Sequence, residues 1–126
     1  MLFRSEREPI DIYVNPTFLP ESIAKDYERL WTEERMKKVI GAAARNGVAI
    51  EINNRYKLPS AAFVRMAKEA GCRFTFGSNN AGADDLGRCE YGLQMVQDCK
   101  LAWPNFFVPG AWGAKAVERK GIALRA

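Results

Sequence analysis

The chain has 126 residues, a net charge of +4, 48% hydrophobic residues, three cysteines and no histidine. That is the size of one small domain with enough apolar content for a core. It excludes histidine-based nucleophilic catalysis, and no apolar run reaches the roughly 20 residues of a membrane span.

Cys72, Cys89 and Cys99 are odd in number and form no Cys-x-x-Cys pair, which argues against a disulfide framework or a zinc knuckle. The charged start Met1–Glu8 lacks a signal-like apolar stretch, so a reducing cytoplasm is the expected location. Basic pairs such as Lys37-Lys38 and Arg119-Lys120 lie among acidic residues and read as solvated helix faces. Neither a nucleic-acid partner nor a membrane is expected.

In chain order, Ile10–Val14 reads as a strand closed by Pro16 and Pro20, and Glu21–Trp31 as a short helix. Thr32 caps a second helix over Glu33–Asn46, whose apolar stripe is Met36, Val39, Ile40 and Ala43 and whose stop is Gly47. Val48–Asn53 is a second strand. Pro59-Ser60 opens a helix with Phe63, Met66, Ala67 and Ala70 on one face, ending at Gly71. Cys72–Gly77 is a third strand. Asp84 or Asp85 is expected to cap a fourth helix with Leu86, Cys89, Leu93 and Val96 inward. Leu101–Val108 is read as holding a last short strand, and Ala111–Lys120 as a terminal helix. Trp103, Phe106, Phe107 and Trp112 are expected to anchor the core or an interface.

Strand–helix alternation implies an α/β fold with parallel strands and right-handed crossovers. Side-chain parity predicts one apolar and one polar face on each strand. Ile10, Ile12 and Val14 oppose Asp11, Tyr13 and Asn15. Val48, Ile50 and Ile52 oppose Ala49, Glu51 and Asn53. Phe74 and Phe76 oppose Arg73 and Thr75. Strands with helices on both sides would be apolar throughout, so helices on one side of a polar lumen, as in a barrel, fit better. Three or four strands cannot close an eight-stranded barrel. The expected chain is therefore a single partial barrel domain over residues 1–126 that associates with itself or with a missing upstream half.

Several segments carry a family resemblance: Val48-Ala49-Ile50-Glu51-Ile52-Asn53-Asn54, the Pro59–Gly71 helix, Phe76-Gly77-Ser78-Asn79-Asn80-Ala81, and Asp84-Asp85-Leu86-Gly87. Together they make residues 10–100 similar to the carboxyl-terminal half of the PHP (polymerase and histidinol phosphatase) family. The resemblance implies about half of a distorted TIM-like barrel, in a family of metal-dependent phosphoesterases. The family's His-Pro metal ligand falls on Asn15-Pro16, and its Gly-Ser-Asp-x-His falls on Gly77-Ser78-Asn79-Asn80-Ala81. All three ligand positions are thus Asn or Ala. A neutral carbonyl oxygen is a poor ligand for zinc or manganese, so no metal and no cofactor are expected.

This implies a degenerate PHP-like hydrolase segment acting as a binding or structural module. The alternative is the carboxyl-terminal half of a diverged hydrolase, completed by an upstream segment or a partner chain. Glu51 is the candidate catalytic group, though pairing with Arg73 is the favoured role for an inward carboxylate. Asn15, Asn53, Asn79 and Arg55 are the candidate ligand-binding residues. For the three asparagines, a pocket for a small polar ligand and simple filling of the lumen both stay open. For Arg55-Tyr56-Lys57, a solvated loop is favoured over an anion site. Asn54 and Asn80 read as turn residues.

Overall fold

The computed structural model describes residues 10–109. Three parallel strands, β1 (Ile12–Tyr13), β2 (Ala49–Asn53) and β3 (Phe74–Gly77), form one sheet in the order β1-β2-β3. Between β1 and β2 lie α1 (Glu21–Ala24), α2 (Tyr27–Leu30) and α3 (Glu33–Arg45). Helix α4 (Ala61–Glu69) joins β2 to β3, and α5 (Glu90–Asp98) follows β3. The protein is a mixed α/β structure with a small parallel sheet. Among the described residues, no helix is long and apolar enough to cross a membrane.

The two longer crossover helices start where their caps dictate. The Thr32 side chain accepts the Arg35 N–H at 3.3 Å, and Ser60 accepts the Phe63 N–H at 3.3 Å. Each bond satisfies a donor that the first helical turn leaves open. Met36, Ile40 and Ala43 of α3 and Phe63, Val64 and Ala67 of α4 then pack on Val48, Ile50, Ile52 and Phe74. Met95 of α5, with Cys99 and Leu101 just beyond it, closes the same core.

Four expectations need correction. Glu21–Trp31 is not one helix but the single turns α1 and α2, separated at Lys25-Asp26. The fourth helix begins at Glu90, not after Asp84 or Asp85, and the stretch 82–88 is turn and irregular chain. Leu86 and Leu93, expected inward, are therefore exposed at 68% and 54%. The face of β1 is also reversed. Tyr13 pairs with Ile50 and packs toward the core, whereas Ile12 pairs with Ala49 and Val14 is exposed. Tyr13 can take the core side because its hydroxyl finds a polar partner there, the Thr17 N–H at 3.3 Å. Finally, the last strand shrinks to one parallel bridge between Phe106 and Phe74, preceded by a 3-10 turn over Trp103–Asn105. Trp103 is exposed, whereas Phe106 packs on the core and against Phe76. Trp112 and the expected Ala111–Lys120 helix lie outside the described residues.

Burial pushes the Cys72 thiol up to about 11 from an ordinary 9.0, and the Tyr91 phenol up to about 12 from 10.0. Well below pH 9 both groups stay protonated, folded or unfolded. Between pH 9 and about 11 the unfolded chain releases the Cys72 proton and the folded chain keeps it, so stability falls as pH rises through that window. Urea melts across the window should show this decline. Cys72→Ala should flatten part of it.

Candidate functional site

The carboxyl ends of the three strands bring together residues distant in sequence. The anchor is Asn53, the last residue of β2 and fully buried. Its Oδ1 accepts the Tyr56 backbone N–H at 3.0 Å, which ties the loop after β2 to the strand it leaves. Its Nδ2 donates to Asn15 Oδ1 at 2.9 Å and to Asn79 Oδ1 at 2.8 Å, with a longer contact to Glu51 Oε2 at 3.3 Å. One amide thus fastens the strand-end loops of β1, β2 and β3 to each other.

Glu51 lies on the same face of β2, two residues earlier, and is also buried. Its Oε2 accepts the Asn15 backbone N–H at 2.6 Å, a charge-assisted bond that offsets part of the cost of burying the carboxylate. The sheet register sets Glu51 beside Thr75. The donors that Glu51 meets in the cluster are the Asn15 backbone N–H and the Asn53 amide. Gly77, paired with Asn53 on β3, leaves the space that the Glu51 side chain fills.

The β1 side of the cluster is fixed by a polar knot beneath it. Thr17, fully buried, meets the Tyr27 hydroxyl at 2.6 Å, and its carbonyl accepts the Trp31 ring N–H at 3.0 Å. The same Tyr27 hydroxyl accepts the Ser60 N–H at 3.2 Å. Asn15 has a positive φ of 46°, a conformation asparagine tolerates better than most residues. This turn brings Asn15 to the cluster although the reversed β1 face alone would not.

Of the five candidate residues, Glu51, Asn15, Asn53 and Asn79 meet. Arg55 does not join them. Its guanidinium lies 3.9 Å from Asp85 and 6.0 Å from the centre of the Tyr56 ring. Asp85, nearly buried, also accepts the Ala81 N–H at 3.0 Å, so it braces the loop after β3 instead of capping a helix. Three contributors were missed in the sequence. Gly77 makes room for Glu51, the Tyr56 N–H orients the central amide, and Asn54 is more than a turn residue. Asn54 Oδ1 accepts the Tyr91 N–H at 2.8 Å, across the molecule in the first turn of α5. Asn80 does occupy the left-handed region expected of a turn, with φ 50°. A separate cleft of about 490 Å³, lined by Asn54, Lys57, Arg88, Glu90, Tyr91 and Gln94, borders α5. Its Arg88 is paired with Glu90 at 2.6 Å.

Family models, curated proteins and solved structures offer no match to this chain. The chemistry of the site has to be read from its own atoms.

A divalent ion fits these atoms badly. The oxygens that Asn15 and Asn79 could offer already accept from Asn53, and the centre of the cluster holds an amino group with its partial positive charge. Ala81, the remaining ligand position implied by the resemblance, has no side-chain donor atom. Among the described residues, no group of three His, Cys, Asp or Glu side chains could hold a metal. The arrangement suits hydrogen bonding to a neutral or weakly polar partner better than activation of water.

Proposed function

We propose that this chain is a degenerate PHP-like segment whose strand-end cluster is a metal-free binding module for a small polar ligand. In this reading β1, β2 and β3 are consecutive strands of a distorted TIM-like barrel. The order β1-β2-β3, with the core helices packed on the Ile50–Ile52–Phe74 face, supports it. The opposite face carries Glu51 and Asn53 toward the carboxyl ends, where α/β barrels hold their ligands.

The observation that carries the proposal is the single Asn53 amide bridging Asn15 and Asn79. It fills the place where a metal centre would need anionic or imidazole ligands, and without a metal no low-pKa water is generated there. Glu51 is a structural acceptor in this account and not a general base.

One observation favours the second reading, a hydrolase half completed by an upstream segment or a partner chain. Among the described residues β1 pairs on one side only, and an open strand edge invites a further strand.

Elemental analysis after metal-free dialysis, together with a phosphomonoester assay in added manganese, tests the proposal. The expected result is no stoichiometric zinc, manganese or iron and no turnover. One or more tightly held metal ions per chain with measurable hydrolysis would overturn it.

A further inference from the structure

We infer that the strand-end cluster takes a neutral, hydroxyl-rich ligand of the sugar or polyol class, and not a phosphate ester. This deepens the binding-module reading and rests on it. The first step is the orientation of three amides. A backbone N–H can only donate, so the Tyr56 N–H fixes Asn53 with its oxygen toward the loop and its amino group toward the cluster. That amino group can only donate, so Asn15 and Asn79 must turn their oxygens inward to meet it. Their own amino groups then face away from the cluster. Among the described residues these two amino groups make no hydrogen bond and, belonging to half-buried side chains, are not sealed from solvent. Asn15 and Asn79, at the ends of β1 and β3, therefore each keep a carboxamide donor for an acceptor oxygen.

The second step is an exposed aromatic pair on the same loops. Phe18 and Tyr56 have ring centres 4.9 Å apart and remain 47% and 43% exposed. Phe18 is anchored by its N–H to the Asn15 carbonyl at 3.2 Å, and Tyr56 by its N–H to Asn53. Apolar rings on the loops after β1 and β2, together with amide donors at the ends of β1 and β3, match a ligand with one C–H face and a rim of hydroxyl oxygens.

Charge decides between the remaining classes. The Glu51 carboxylate is the formal charge in direct contact with the cluster, 2.6 Å from the Asn15 nitrogen and 3.3 Å from Asn53 Nδ2. The Arg55 charge is matched by Asp85, and Lys57 lines the separate cleft beside α5. An oxyanion over the amides would meet the charge of the adjacent Glu51 carboxylate, whereas a neutral ligand meets no such penalty.

The test is a titration of the full 15N-labelled chain with D-glucose, D-ribose and myo-inositol, and separately with inorganic phosphate, following the side-chain amide signals of Asn15 and Asn79. At least one neutral probe should shift both pairs of signals saturably, and phosphate should not. Tyr56→Ala, with its backbone N–H intact, should weaken that binding by about tenfold while the rest of the spectrum stays unchanged. Shifts with phosphate alone would overturn the ligand class and leave the binding site standing. Amide signals unmoved by every probe would overturn both.

Discussion

Asn53→Leu should lower stability by about 3 kcal/mol, because the change keeps the branched side-chain shape but leaves several polar groups near a fully buried position without their partner. Four interactions converge on this amide, from Tyr56, Asn15, Asn79 and Glu51. Asn15 and Asn79 are half-buried and can recover part of the loss by turning toward water, which keeps the cost below the sum of four broken bonds. In a thermal melt the change should lower Tm by roughly 15 °C. A loss of only a degree or two would mean that the cluster fills space without holding the loops together. Asn53→Asp separates hydrogen bonding from shape. It keeps an acceptor for the Tyr56 N–H but removes the amino group and sets a second carboxylate beside Glu51. Its deficit should be at least as large, because like charges in contact repel.

How far this arrangement was readable in the sequence depends on the kind of interaction. The caps Thr32 and Ser60 were legible because a short hydroxyl side chain before an apolar 3.6-residue pattern has a single local meaning. Strand β2 was legible for a related reason, since its inward Glu51 and Asn53 alternate with Ile50 and Ile52. The shared direction of Glu51 and Asn53 followed from that alternation.

The failures lie where tertiary partners overrule local pattern. Tyr13 was expected on the polar, lumen-lining face with Asn15, but a hydroxyl matched by Thr17 lets an aromatic ring lie against the core. Asp84-Asp85 before Leu86 had the form of a helix cap. Asp85 instead binds Ala81 and lies near Arg55, both distant from any helix start, and the helix waits until Glu90. Arg73 was the obvious partner for Glu51 by charge. The backbone N–H of Asn15 as a donor to Glu51 was not visible in any periodicity. Backbone donors carry no sequence signature, and two of them, at Asn15 and Tyr56, organise this site.

Gly77→Ala should also cost about 3 kcal/mol, although glycine to alanine in a strand is ordinarily neutral or favourable. A methyl group at this position would overlap Glu51 Oε1 and come within 2.6 Å of its Cδ and 2.8 Å of its Cγ. Swinging the carboxylate tip aside is not enough, because the stem is also in the way. The whole side chain must leave, and the bond from the Asn15 N–H goes with it. Gly92→Ala makes a useful contrast. There a methyl group would come within 2.5 Å of the Phe76 ring, but that ring is 37% exposed and can yield toward solvent. Alanine also gains about 1 kcal/mol of helix propensity over glycine, so the net effect at Gly92 should be small. The decisive measurement is a double-mutant cycle between Gly77→Ala and Glu51→Ala. Truncating Glu51 removes the group the new methyl strikes, so the two changes together should cost less than their sum by at least about 1 kcal/mol. Simple additivity would mean that Gly77 is required for its backbone alone, and that the packing of Glu51 against β3 does not hold the strand-end cluster in place.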